Sequence, residues 1–371
     1  MSRALTRRAD LADLAGYHSL QVDAEVKLNA NESPLPPPAE WQERLADAVA
    51  GLDVRRYPDR EATELRQRLA ALHGVDPSWV FCANGSNEVL QSLLLAFGGP
   101  GRSILVFEPT YTLHAHIARL TLTEVVRAGR GPDFRVDVGE AARVIDRHQP
   151  AITAMCSPNN PTGRAEQPET VARVAERAPG LVVVDEAYGQ FAPWSALELL
   201  PGKAGSATGT PAIPGTRAPL GSGLVVVRTF SKTWAMAGLR LGYLVADPEV
   251  VAGCEAVALP YHLSAVTQVA GLLALEYHRE MMVRVAGIAE ERGRLEAALA
   301  GLPVDWWPSD ANFILFRPRE RTAQAVWRGL LTRGVLIRDC SRWPGVQGCL
   351  RMTIGSRQEN DRFVDALKGC L

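Results

Sequence analysis

The 371-residue sequence carries almost no net charge: 40 Lys and Arg stand against 41 Asp and Glu, a formal −1. That balance removes the electrostatic reason to expect nucleic acid or an anionic membrane as a partner. Cysteine is sparse, with six residues at 82, 156, 254, 340, 349 and 370 and no CxxC pair. Such spacing suits neither a zinc site nor a disulfide framework, so buried or incidental thiols are expected. His114 and His116 form the one close histidine pair, but no third ligand stands near them, and no metal is expected. No apolar run approaches the ~20 residues that a membrane helix needs. Arg3, Arg7 and Arg8 are followed by Asp10 and Asp13 rather than an apolar core, which fits neither a secretory signal nor a transit peptide. A cytoplasmic location is the expectation. There is no internal repeat.

What the chain does have is the balance of a globular protein, 47% hydrophobic and 22% charged. Its length exceeds one ordinary compact core, so two packed units are expected. Pro34, Pro36, Pro37 and Pro38 exclude regular helix before about residue 40. Leu65, Leu69 and Leu72 space an amphipathic helix over 62–72. Short apolar runs then recur at helix-length intervals: 79–82, 104–107, 152–156, 181–184 and 224–227. That is the pattern of a mainly parallel sheet covered on both faces, which places ligands at the carboxyl ends of its strands. Residues 201–222 are rich in Gly, Ala, Pro, Ser and Thr and read as a long surface loop. Residues 264–299 look helical. Strand-like runs at 313–316, 335–337 and 350–354 suggest a smaller α/β unit. The expected division is a large unit over 45–262 and a small one formed by 1–44 with 263–371.

Four polar clusters follow those apolar runs. In Thr229-Phe230-Ser231-Lys232 a lysine closes a buried strand between hydroxyls, where poor solvation lowers an amine's pKa and frees it to form an imine. Thr229, Ser231 and Arg240 in GLRLGY, eight residues after Lys232, can grip a phosphate, arginine doing so bidentately. A surface lysine is the plain alternative. Asp185 ends 181–184, either as a turn residue or as a carboxylate placed beneath a pyridine ring; Tyr188 lies three residues on. Ser157-Pro158-Asn159-Asn160-Pro161-Thr162-Gly163 is a turn at the least, and Asn160 can donate an amide hydrogen bond from it. Asn84-Gly85-Ser86-Asn87 joins a strand to a helix, whose first N–H groups make a phosphate seat. Tyr111, after Glu108-Pro109-Thr110, is either a core tyrosine or a stacking partner for an aromatic ring.

TFSKTW, GLRLGY, SPNNPTG, VVVDEAY and ANGSNE together resemble the fold-type I aminotransferases in order and context. The resemblance implies a three-layer α/β/α large domain, a smaller α/β domain and pyridoxal 5′-phosphate as cofactor. By it Lys232 would carry the cofactor as a Schiff base and move the proton between Cα and C4′. Asp185 would pair with the ring nitrogen, and Asn160 and Tyr188 with the ring oxygen. Gly85, Ser86, Thr229, Ser231 and Arg240 would hold the phosphate, and Asn87 and Tyr111 would also bind the cofactor, Tyr111 by stacking. Tyr57, in RYPD at 56–59, would reach the phosphate of the other subunit, which implies a homodimer.

Within that superfamily the chain is most similar to the histidinol-phosphate aminotransferase family, over nearly its whole length. Tyr17, LNANESP at 28–34 with Asn31, RYPD, and VLIRDCSRWPGVQGCLRMTIG with Arg338 and Arg351 carry this likeness. It implies a ping-pong exchange between histidinol phosphate and 2-oxoglutarate, giving glutamate, in histidine biosynthesis. Tyr17, Asn31, Asn160, Arg338 and Arg351 would bind the substrates. Two arginines by themselves suit a dianionic substrate. Three alternatives stand beside this: an aminotransferase for aromatic or other small amino compounds, a threonine-phosphate decarboxylase, and a DNA-binding regulator. The last would need a basic helix-turn-helix for which the chain has neither charge nor spare length.

Overall fold

A computed structural model describes residues 8–11, 14, 16, 22–201 and 223–371. Tyr17 and nearly all of the loop expected at 201–222 lie outside the described residues. The strands in chain order are β1 (Val26–Leu28), β2 (Val80–Ala83), β3 (Ser103–Glu108), β4 (Glu124–Gly129), β5 (Ile152–Cys156), β6 (Leu181–Asp185), β7 (Leu224–Thr229), β8 (Gly242–Val245), β9 (Val304–Trp306), β10 (Phe313–Pro318), β11 (Val335–Asp339) and β12 (Leu350–Thr353).

Seven of them form one sheet in the order β2-β8-β7-β6-β5-β3-β4. β7, β6, β5, β3 and β4 are parallel neighbours, while β8 runs antiparallel to both β2 and β7. The apolar runs split their side chains between two faces. Leu105, Phe107, Met155, Val182, Val184 and Val226 enter one core. Ile104, Val106, Ile152, Ala154, Val183 and Val225 enter the other. Alternation of this kind, apolar on both sides, is what a sheet between two helix layers requires. Each buried Val, Leu or Ile contributes ~1.5–3 kcal/mol to that packing.

The remaining strands form a second sheet, β1-β11-β12-β10-β9. β1 was not apparent in the proline-rich start of the chain, and it pairs parallel to β11. Its partner helices include Arg357–Lys368, where a capping box between Ser356 and Glu359 fixes the first turn. The helical stretch expected over 264–299 is two helices, Ala265–Glu276 and His278–Ala300. Their packing changes hands later than the expected boundary at 262/263. Ala270, Ala274 and Met281 pack in the large-sheet core, as does Trp41 from the segment expected in the small unit, whereas Leu295 and Leu299 pack in the small-sheet core. We propose that the boundary between the units lies within the helix His278–Ala300.

Topology gathers the polar clusters at one edge. β2, β5, β6 and β7 share a direction, so Asn84, Ser157, Asp185 and Lys232 leave or follow their strands on the same side. The reversed strand β8 begins at this edge, with Gly242 paired to both Ala83 and Thr229. Arg240, two residues earlier, is thereby delivered to the clusters of the neighbouring strands. A Cβ at Gly242 would stand 2.2 Å from the Ser86 nitrogen, so only glycine permits this approach.

Candidate active site

Thirteen of the expected site residues line one cavity of about 380 Å³ between the two sheets: Asn31, Ser86, Asn87, Tyr111, Asn160, Asp185, Tyr188, Thr229, Ser231, Lys232, Arg240, Arg338 and Arg351. Gly85 borders it: a Cβ there would lie 2.5 Å from Arg240 Nη2. Tyr57 is elsewhere, 78% exposed and stacked on Tyr261 with ring centroids 4.3 Å apart.

Lys232 Nζ donates to the Ala30 carbonyl at 2.8 Å. Burial, helped by the Arg351 and Arg240 charges against Glu32, pulls its pKa down to about 8. The amine is still mainly protonated at pH 7, but the neutral form needed for attack on a carbonyl is far more accessible than at an ordinary lysine.

Asp185 is buried and accepts the Ala187 N–H at 3.1 Å. Its Oδ2 lies 3.0 Å from His114 Nε2, and a carboxylate that only accepts places the proton on Nε2. His114, on the helix Leu113–Leu120, had been singled out only as half of a weak histidine pair. Its place three residues after Tyr111, just inside the start of that helix, was the signal available. The Tyr111 ring meets the His114 ring edge-on at 5.6 Å.

At the other end of the cavity lies an anion seat. The helix Ser86–Phe97 opens after Gly85, whose φ of 85° favours glycine. Thr229 Oγ1 contacts Ser231 Oγ at 3.0 Å, and Arg240 sits beside Gly85. Free N–H groups, hydroxyls and a guanidinium together suit a phosphate. Gly85→Ala should add left-handed strain and push the guanidinium away. It is expected to weaken pyridoxal-phosphate binding about 10- to 100-fold, read by titrating the visible band.

Arg351 and Arg338 come from the small sheet, directly opposite each other on β12 and β11. Arg351 is buried, donates to Asn160 Oδ1 and to the Asn29 carbonyl at 2.9 Å, and lies 5.1 Å from the Phe313 ring centroid. Arg338 lies 5.5 Å over Trp343. Tyr188 is buried, its phenol pushed up to about 12 by that burial despite the Arg351 charge.

An aminotransferase class I and II family model matches residues 23–367. The chain belongs to that family. It is 44% identical to the histidinol-phosphate aminotransferase of Thermobifida fusca, over 98% of this chain and 95% of that one. Its likeness to the enzyme of the same name from Frankia casuarinae is also 44%, covering 98% and 89%. In fold this aminotransferase matches the histidinol-phosphate aminotransferase of Sinorhizobium meliloti, solved with pyridoxal-5′-phosphate, with TM-score 0.84 at 21% identity and 99% of both chains covered. The L-threonine-O-3-phosphate decarboxylase of Porphyromonas gingivalis has the same fold, with TM-score 0.76 at 23% identity over 93% and 98%. No helix among the described residues is long and apolar enough to cross a membrane.

Proposed function

We propose that this aminotransferase exchanges an amino group between L-histidinol phosphate and 2-oxoglutarate, using pyridoxal 5′-phosphate, as a step of histidine biosynthesis. The observation that carries the substrate side is Arg338 and Arg351, paired in register and lining the same cavity as Lys232. Two guanidiniums on one wall suit a dianion, and relatives carrying this activity's name match along almost the whole chain.

The cavity suits the cofactor on its own chemistry: a deprotonable amine, a buried carboxylate, and a glycine-opened helix start beside an arginine. When bound, the cofactor supplies a conjugated ring that accepts the electron pair left by breaking the substrate's Cα–H bond. Asp185 would face the ring nitrogen, held in orientation by His114. Tyr188 and Asn160 would face the ring oxygen, and Tyr111 the ring. Gly85, Ser86, Thr229, Ser231 and Arg240 would hold the phosphate, with Asn87 beside Tyr111 in the cofactor's pocket. Lys232 Nζ would then take the proton from the substrate's Cα. Arg351 and Arg338, with Tyr17, would grip the substrate phosphate or the glutamate carboxylates. The exposed Tyr57, stacked on Tyr261, would serve the site of a second copy, making the protein a cytoplasmic homodimer.

The test is a half-reaction titration that follows the visible band of the loaded protein. Histidinol phosphate and glutamate should each bleach it, and 2-oxoglutarate should restore it. Bleaching by phenylalanine in preference to histidinol phosphate would reassign the substrate, and carbon dioxide release from threonine phosphate would make the protein a decarboxylase. Arg351→Lys, which keeps the charge and loses the fork, should lower kcat/KM for both substrates about 10²-fold in steady-state assays.

A further inference from the structure

Asn31 lines the cavity, yet its polar groups are engaged by the protein itself. It is 1% exposed and adopts φ 55°. Its backbone N–H donates to Thr353 Oγ1 at 3.0 Å, and the Thr353 hydroxyl donates back to Asn31 Oδ1 at 3.0 Å. Its carbonyl accepts from Asn312 Nδ2 at 3.1 Å. The remaining group, Nδ2, donates to Tyr188 Oη at 2.9 Å. Asn31 is thus held by three bonds to the small sheet and its lead-in, and spends its amide on a tyrosine of the large unit.

The direction of that last bond matters. A phenol has one hydrogen, and an oxygen that accepts from Asn31 keeps its own hydrogen for another acceptor. The Tyr188 ring is fixed edge-on to Phe313, centroids 4.9 Å apart, so the hydroxyl turns only about its C–O bond. We propose that Asn31 acts as a positioning residue rather than a substrate ligand: through one Nδ2 hydrogen it aims the Tyr188 hydrogen into the cavity. The inference rests on the reading of Tyr188 as the donor to the cofactor's ring oxygen. A donor there stabilises negative charge on that oxygen and weakens its hold on the proton shared with the lysine-linked nitrogen. The aimed phenol therefore lowers the pH at which the bound cofactor's visible absorbance switches.

The experiment is a spectral pH titration of the cofactor-loaded protein. Asn31→Gly removes the amide while tolerating the left-handed φ, and Tyr188→Phe removes the phenol. Each should raise the switch pH, Asn31→Gly by about one unit, a tenfold change in proton affinity. The double variant should move no further than Tyr188→Phe alone, because the two side chains act through one hydrogen. Thr353→Val, which frees the Asn31 amide but keeps the strand, should shift it in the same direction, and serves if Asn31→Gly does not fold. An unchanged switch in Asn31→Gly or Thr353→Val, with lowered melting temperature, would reduce Asn31 to a structural strut. Shifts that add in the double variant would also overturn the proposal. No shift in Tyr188→Phe would instead remove the reading of Tyr188 on which it stands.

Discussion

Lys232→Ala should turn over at least about 10⁴-fold more slowly than the wild type while keeping its fold. Two contributions are lost at once: the attachment point for the cofactor and the amine that takes the Cα proton. The variant should still bind pyridoxal phosphate through the seat at Gly85, Ser86 and Arg240, but without the band that depends on a lysine link. Comparing circular dichroism, visible spectra and steady-state rates checks all three. Normal turnover would refute the assignment. The same residue makes a stability prediction with a definite sign. Its folded pKa of about 8 lies below the ordinary 10.5. Below pH 8 the amine is charged in both states and the folded protein bears the full cost of burying it. Between pH 8 and 10.5 the unfolded chain binds the extra proton, so stability of the cofactor-free protein should climb with pH. Lys232→Met should abolish the climb and melt higher than the wild type at pH 7. The gain is bounded at ~3 kcal/mol and is smaller to the extent that water reaches Nζ.

Asp185→Asn is expected to lower kcat about 10²- to 10³-fold with much smaller changes in KM. A neutral amide can still meet His114 Nε2, so the buried contact at 3.0 Å survives as geometry. What disappears is the charge that favours a protonated ring nitrogen, and with it much of the ring's capacity to take up electrons. Stopped-flow measurement of the glutamate half-reaction isolates that step. A loss of less than tenfold would argue that Asp185 does not face the ring. Pyridoxal phosphate with a methylated ring nitrogen, permanently cationic, should recover part of the rate.

The large sheet was legible because its interior strands are buried on both faces and so read as unbroken apolar runs; β5 begins and ends at the expected residues 152 and 156. Of its edge and reversed strands only β2 stood out, within the run 79–82; β4 and β8 did not, nor did β1 of the second sheet. β4 (Glu-Val-Val-Arg-Ala-Gly) carries charges because one side of it is solvent. β8 is four residues inside GLRLGYLV, where Gly242, needed for close approach to Ser86, masks the start of the strand. β1 is three residues long and gains its order from β11, which no local pattern announces. The site was legible wherever chemistry sits in a short motif, as at Lys232, Asp185 and Asn160. His114 was missed because its partner Asp185 is 71 residues away. The role of Asn31 was likewise hidden, since a sequence shows an amide but not who already holds it.

Asn31 and Thr353, which bond to each other, are 322 residues apart. At ~5–20 residues per second the N-terminal strap waits tens of seconds on the ribosome before β11 and β12 exist to receive it. The large sheet can form in that interval, with Lys232 and the phosphate seat already in place, but the wall bearing Arg351 cannot. A nascent chain stalled before residue 335 should therefore take up pyridoxal phosphate weakly while failing to recognise any substrate. Completion of residues 335–371 is the event that turns a cofactor-binding sheet into an enzyme.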